Sequence, residues 1–371
     1  MGVMMEKVLS SRIRDQFISS VKKDPKVKNA FLLVENETLG IHVNECYGVN
    51  STIDQPYYIA SIGKVFTSVI IGQMVEKNLI SYEDKVLDIL GSSIVNGLHT
   101  YKGINYVGEV TIRHLLNHTS GIGDYFSDKP TRGKSMLEMI LESPYQHYSP
   151  LEIVAWSKKN IKPRFKPGRG FHYSDTGYHL LGLVIEKILN MPLAEVMEKN
   201  IFSPLNMKNT VFASYEKQTK IDESTVCDVY WGENNVKDYS IFKDDYAGGG
   251  IITTSADLLL FFKAIIHNQI VGESTLKQMT TWSKYSSVKL IGIAYGLGLM
   301  YLKSTPLLFP KKFCSFGHIG SIGSFMFYNP TTKTYLIGSV NRFQYHRKSM
   351  NIMFKALKVI MREHEKQGTF I

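Results

Sequence analysis

The stretch I59-A-S-I-G-K-V-F66 sets a serine and a lysine three residues apart, just after Pro56-Tyr57-Tyr58. It opens the strongest helical pattern in the first half of the chain, Ser61 to Asn78. Val65, Phe66, Val69, Ile70, Met74 and Val75 fall on apolar faces, and Lys64 is the sole charge before Glu76. Serine favours helix starts, so Ser61 as a cap is the plain reading. The same geometry suits catalysis. Positions i and i+3 of a first turn share a face, which brings Lys64 to the Ser61 oxygen. A helix N-terminus favours negative charge, and so a developing alkoxide. A lysine flanked by Ile62, Gly63, Val65 and Phe66 is partly desolvated, which lowers its pKa toward that of a base. The spacing alone does not choose. It recurs at Ser19–Lys22, Ser20–Lys23, Ser214–Lys217, Ser240–Lys243, Ser274–Lys277 and Ser286–Lys289, none of which opens so long an apolar helix.

Around this stretch, periodicity outlines an α+β protein. Residues 6–22 have helical spacing and stop before Asp24-Pro25. Two β-like runs, Asn29–Glu35 and Leu39–Tyr47, flank a polar turn as in a hairpin. Helical pieces follow at Thr111–Asn117, Pro150–Lys159, Tyr178–Leu189 and Leu193–Asn200. Gly248-Gly249-Gly250 breaks the chain before a helix at Ser255–Ile266, where Thr254 and Asp257 resemble a capping box. Tyr295–Tyr301, Gly323–Tyr328 and Lys333–Asn341 read as strands, and Ser349–Lys366 as a closing helix. The economical arrangement is one antiparallel sheet flanked by helices. Residues 1–80 and 240–371 build it, 81–239 form an inserted, mainly helical domain, and the site lies in the cleft between them.

Composition narrows the function classes. The chain has 371 residues, 44% hydrophobic and 20% charged, enough for a sizeable core. Its formal charge is +10. The positive residues are scattered; the tightest group, Lys162 to Arg169, sits among prolines and glycine, and no nucleic-acid motif accompanies it. A solvated basic surface is the simple reading, and an anionic envelope partner the alternative. Three cysteines, Cys46, Cys227 and Cys314, make no disulfide framework and suit a reducing cytoplasm. The N-terminal segment lacks the pattern of an export signal, and the longest apolar run, Leu290–Leu302, is too short to span a bilayer. These features lead us to expect a cytoplasmic protein without an integral membrane segment. Its oligomeric state stays open.

Two further segments carry chemistry. In F171-H-Y-S-D-T-G-Y-H-L-L-G182, Asp175 can cap the following helix and Tyr173 can pack as core. Alternatively, a tyrosine near a cationic lysine shuttles protons. In F316-G-H-I-G-S-I-G-S-F-M-F327, small residues precede a strand-like run. Glycines there permit close backbone approach, as an oxyanion-binding edge requires, or simply make a tight turn. His114 and His118 have a zinc-compatible spacing but no third ligand and no H-E-x-x-H pattern.

Taken in order, S61-I-G-K64, Y173-S-D175 and H318-I-G320 resemble the motifs S-x-x-K, Y-x-N and H-x-G of the serine β-lactamase and penicillin-binding-protein superfamily. The resemblance is to its branch of class C β-lactamases, D,D-peptidases, D-aminopeptidases and esterases. L115-L-N-H-T-S-G121, A247-G-G-G-I-I-T-T-S-A-D257 and Y295-G-L-G298 are similar to further segments of that branch. The likeness implies a β-lactamase/transpeptidase-like fold. It implies Ser61 as acylated nucleophile, Lys64 and Tyr173 as base and relay, and His318 and Gly320 on the strand edging the cleft. The N–H groups of Ser61 and Ser321 would form the oxyanion hole. The expected substrate is a small or peptide-like ester, D-amino-acid amide or β-lactam, with no metal and no organic cofactor. Two departures matter. Asp175 stands where the pattern has asparagine, so it only accepts hydrogen bonds and raises the Lys64 pKa, favouring Tyr173 as base. S174-D175-T176 also resembles the S-D-N of another branch, which would make Ser174 the relay. Histidine at 318 replaces a lysine and tilts the reading from β-lactamase toward esterase or peptidase. The alternative is a catalytically impaired ligand-binding or sensing protein. Specificity would reside in loops around 121–150 and 225–247.

Overall fold

The structure is a computed structural model that describes residues 2–213, 220–285, 292–304 and 310–368. The Ser214–Lys217 and Ser286–Lys289 pairs, and the beginning of the apolar run at Leu290, lie outside the described residues. In chain order, the elements that matter here are helix α1 (Gly2–Lys22), strands β1 (Asn29–Asn36) and β2 (Ile41–Gly48), and helices α2 (Gly63–Glu76), α3 (Ile112–Leu116), α4 (Pro150–Asn160), α5 (Asp175–Leu189) and α6 (Ser255–Ile266). Strands β3 (Ile293–Tyr295), β4 (Met300–Leu302), β5 (Ser315–Ile319), β6 (Phe325–Asn329) and β7 (Thr334–Ser339) precede the last helix, α7 (His346–Gln367).

Seven strands form one sheet in the order β3-β4-β5-β6-β7-β1-β2. Every neighbouring pair is antiparallel. The fold is therefore α+β, with the β1–β2 hairpin inserted beside the last strand of the C-terminal half. Both sheet faces are buried, and the period of two sorts the side chains. Ala30, Leu32 and Val34 of β1, with Phe325, Phe327 and Leu336, meet Ile13 and Phe17 of α1 and Met353 and Leu357 of α7. Phe31 and Leu33, with Met326, Tyr335 and Ile337, face the opposite way, into the core shared with α2, α5 and α6.

The apolar run 295–301 is broken instead of forming one strand. β3 ends at Tyr295 and β4 starts at Met300, with the Gly296 N–H donating to the Leu299 carbonyl at 2.8 Å. Gly298 makes the turn at φ +77°, and a Cβ there would lie 2.5 Å from that of Ser68. The 316–319 stretch, read as an edge before a strand, is itself strand β5.

Candidate active site

The approach to Ser61 is tied down before the residue is reached. Tyr57 and Tyr58 pair with Thr253 and Ile252, and the Ile59 N–H donates to the Ile251 carbonyl at 3.2 Å. Ala60 then adopts φ +48°, a left-handed conformation that costs a side-chain-bearing residue energy. The kink leaves Ser61 inside a single 3-10 turn, Ala60–Ile62, with α2 starting behind it. Ser61 is not the helix cap. The residue preceding α2 is Ile62, which makes no side-chain capping bond, so the serine hydroxyl is left to the cleft. A Cβ on Gly63 would lie 2.7 Å from the Gly249 Cα. The start of α2 and the 248–250 loop cross backbone on backbone, which only glycines permit.

That crossing places the lysine. Lys64 Nζ donates to Ser61 Oγ at 3.2 Å and to the Gly248 carbonyl at 2.9 Å, and it is ion-paired with Asp175. Its ammonium lies 5.1 Å from the centre of the Tyr173 ring and 5.2 Å from that of Tyr178. Lys64 has no exposed surface. Burial pushes its pKa down, but the charge of Asp175, with contributions from Tyr173 and Asp245, outweighs this and holds it well above the ordinary lysine value. The resting lysine is a cation, not the free amine that an apolar flank alone suggests.

Asp175 does not cap α5. That role belongs to Ser174, whose Oγ accepts from the Gly177 N–H at 3.3 Å and donates to the Gly123 carbonyl at 3.1 Å. Ser174 is thus occupied as both donor and acceptor. The Tyr173 hydroxyl instead faces Ser61 and Lys64, both of which draw its pKa down against the larger upward push of burial. His118 holds this segment. Its ring lies 4.2 Å from that of Tyr173, its Nδ1 accepts from the Ser174 N–H at 3.1 Å, and its carbonyl accepts from the His172 N–H at 3.0 Å. His114 Nδ1 accepts from the Thr111 N–H at 3.2 Å, closing the capping box of α3. The two histidines therefore serve backbone groups, and among the described residues no three metal-type side chains cluster.

His318 sits differently from a substrate contact. It is fully buried, and the cleft wall at this level is Ile319 and Ser321. Its Nδ1 lies 2.9 Å from the Ile319 carbonyl, which can only accept, so Nδ1 carries the proton and Nε2 accepts from the Tyr295 hydroxyl at 2.7 Å. Burial, reinforced by Lys64, pushes its pKa down to about 3, so the ring is neutral. The strand alternation of β5 turns His318 inward. Gly320 also stays out of the cleft: a Cβ there would meet the Ile59 carbonyl at 2.5 Å and the Ala60 Cβ at 3.2 Å. Ser324 Oγ donates to the same carbonyl at 2.7 Å. The β5–β6 turn is thereby fastened to the Ser61 turn. Among the described residues, neither the Ser61 nor the Ser321 N–H has a protein acceptor, and both residues line the cleft.

The cleft measures about 270 Å³. Beside Ser61, Tyr173, Asp175 and Ser321 it is lined by Asp124, Asp245, Tyr125, Phe126, Phe242 and Phe343. Among the described residues no lysine or arginine lines it. Burial, then the neighbouring Asp175 charge, pushes Asp124 up to about 6. Asp245 is pushed up to about 7 by burial, with Lys64 pulling down and Asp175 and Asp124 pushing up. Neither aspartate was apparent from spacing. The signals were their places beside the motifs: Asp124 three residues beyond T119-S120-G121, and Asp245 just ahead of A247-G-G-G250.

A kinked, glycine-crossed serine turn beside a seven-stranded antiparallel sheet, with a lysine and tyrosine on one serine oxygen, defines the serine β-lactamase and penicillin-binding-protein class of fold. Consistent with this, the family model described as Beta-lactamase matches residues 36–358, and the chain belongs to that family. It is 29% identical over 272 residues to penicillin-binding protein 4* of Bacillus subtilis, a match covering 67% of this chain and 53% of that relative. The chain thus spans about half the length of that curated relative. Among solved structures, a D-stereospecific amidohydrolase from a Streptomyces species superposes with a TM-score of 0.75 at 25% identity, covering 92% of this chain and 98% of that one. EstCE1, a hydrolase with promiscuous acyltransferase activity, gives 0.79 at 17% identity over 95% of this chain and 99% of its own, a likeness of fold.

Proposed function

We propose that this chain is a serine hydrolase that forms an acyl-enzyme on Ser61 and accepts uncharged or amine-bearing acyl donors: esters and D-amino-acid amides ahead of β-lactams. The observation that carries this is the Lys64 hydrogen bond to Ser61 Oγ, made by an ammonium that Asp175 keeps charged. Because Lys64 donates to the serine oxygen, the serine hydrogen is free to point at Tyr173. The tyrosine then works as a relay. In one concerted movement its own proton passes toward the departing oxygen or nitrogen while the serine proton takes its place on the phenol oxygen, so that Oγ bonds to the acyl carbon, the leaving group departs protonated and Tyr173 is neutral again at the end. A persistent phenolate is disfavoured, since burial raises the Tyr173 pKa. Lys64 stabilises the negative charge passing through the pair, and the Ser61 and Ser321 N–H groups receive the carbonyl oxygen in this reading. Water then releases the acyl group by the reverse relay. His118 is a positioning residue for Tyr173.

The substrate class rests on charge. Among the described residues the cleft lining has no lysine or arginine and three aspartates, of which Lys64 balances Asp175 from behind, and this disfavours a substrate carboxylate and tolerates an amine. The neutral, buried His318 adds no positive charge to that of Lys64. The Streptomyces amidohydrolase supports the amide arm of this reading. The test is turnover of p-nitrophenyl esters, D-amino-acid p-nitroanilides and nitrocefin, with Ser61→Ala as blank and adduct mapping by mass spectrometry. Label on Ser61 and loss of turnover in the blank are expected. Undiminished turnover in Ser61→Ala would refute the assignment.

The Lys64–Asp175 pair also favours a second reading, a binder without turnover, since a lysine held as a cation cannot itself abstract the serine proton. It predicts ligand-dependent thermal stabilisation with no hydrolysis of any donor.

A further inference from the structure

Helices α1 and α7 cover the sheet face opposite the α2–α5–α6 core, and between them runs an open groove of about 890 Å³. Its walls carry Lys7, Arg12, Lys23, Lys355, Lys358 and Arg362, against the single carboxylate of Asp15. Among the described residues none of these six cations forms an ion pair; Lys355 donates to Ser20 Oγ at 2.9 Å. Elsewhere on the same two helices Arg14 pairs with Glu45, Lys348 with Asp24 and Lys366 with Glu363, while Lys22 and Arg347 are, among the described residues, without an ion pair. The fold thus gathers six of the scattered cations into one strip that a single carboxylate faces.

The strip is also apolar at one end. Met4 is 76% exposed and Val8 50% exposed, and both line the groove, Met4 two turns and Val8 one turn before Arg12. The core-facing residues of α1 are Leu9, Ile13, Phe17 and Val21, so Met4 and Val8 are not needed by the sheet. A single exposed apolar residue means little. Two on one stripe, set among unpaired cations, match the pattern of a helix that lies on a bilayer, with basic side chains at the headgroups and apolar ones below them. A nucleic acid or other dissolved polyanion would use the cations but gain nothing specific from Met4 and Val8.

We propose that the α1–α7 groove docks this protein on the surface of an anionic phospholipid bilayer, peripherally and reversibly. No helix among the described residues is long and apolar enough to cross a membrane. The groove lies on the sheet face away from the Ser61 turn, so a docked molecule keeps its cleft open to water. The proposal is independent of the hydrolase reading.

Sedimentation of the full chain with vesicles tests it. Phosphatidylglycerol–phosphatidylcholine vesicles should carry the protein down at low salt and release it at about 0.5 M salt, where screening shortens to a few ångströms. Phosphatidylcholine alone should not bind it. Combined Lys7→Glu, Arg12→Glu, Lys358→Glu and Arg362→Glu changes should lower partitioning by at least about a hundredfold, with Tm unchanged because all four side chains are exposed. Val8→Asp should weaken binding even at low salt. Three results would overturn the proposal: no sedimentation of the wild-type protein, undiminished sedimentation of the fourfold variant, or retention on heparin and oligonucleotide with none on anionic vesicles.

Discussion

Lys64 and Asp175 form an ion pair in which the lysine has no exposed surface, and the same Nζ donates to Ser61 Oγ at 3.2 Å. The carboxylate therefore sets the charge of the group that touches the serine. In wild-type protein kcat/KM should stay flat up to about pH 10, because the raised Lys64 pKa keeps the cation present. Asp175→Asn removes the largest upward influence and leaves desolvation opposed only by Tyr173 and Asp245. The Lys64 pKa should fall, and the alkaline decline of kcat/KM should enter the measurable range. Removing one partner of a buried pair should also cost about 3 kcal/mol in stability. Identical pH profiles for wild type and variant would contradict this control by Asp175.

Tyr173 and Ser174 separate the two relay candidates. Tyr173→Phe deletes the hydroxyl that faces Ser61 but keeps the ring on His118, so Tm should change little. Acylation should fall by about 10²–10⁴-fold. Ser174→Ala removes the α5 cap and should cost about 1 kcal/mol in urea denaturation, with the acylation rate within a few-fold of wild type. Stopped-flow acylation with a chromogenic ester measures both, and the opposite pattern would make Ser174 the relay.

Gly320 is a packing requirement of the site. Gly320→Ala would place a methyl 2.5 Å from the Ile59 carbonyl and 2.2 Å from Ser324 Oγ. The β5–β6 turn must then shift from the Ser61 turn, at a cost of about 1–3 kcal/mol. The Ser321 N–H moves with it, so kcat should drop more than KM rises. Wild-type kinetics in this variant would show that the contact can relax without moving the turn.

Asp245 gives the cleft a pH dependence. Its folded-state pKa of about 7 stands above the ordinary carboxylate value, because burial and the nearby Asp175 and Asp124 charges resist ionisation. A raised carboxylate binds its proton more tightly in the folded state. Its contribution to stability is thus full below about pH 4 and is lost as pH rises through about 7. Asp245→Asn should raise Tm relative to wild type at pH 8 by a few degrees, and the gain should shrink toward pH 5. Equal Tm differences at both pH values would mean that Asp245 does not titrate in this range.

Much of the scaffold was legible because helix and strand signals are local. The apolar period after Ser61, the 29–47 hairpin and the Thr254 cap, whose side chain accepts from the Asp257 N–H, all depend on near neighbours in the chain. The order of S61-I-G-K64, Y173-S-D175 and H318-I-G320 was enough to point to the family. The Tyr295–Tyr301 run misled because one left-handed glycine outweighs an apolar pattern.

What the sequence by itself determined is thus the family, the helix-and-hairpin framework and the residues that meet at Ser61. Only the tertiary structure decided their states. Lys64 is a cation because Asp175 and the Gly248 carbonyl, both more than a hundred positions away, close on its fully buried ammonium. His318 is neutral and turned inward because β5 packs it against Tyr295. Asp245 joins the cleft because the 248–250 loop can cross α2 at Gly63, and Asp124 because its Oδ1 accepts from the Asp175 N–H at the start of α5. Charge state and orientation depend on burial and on partners remote in sequence, and these exist only once the chain has folded.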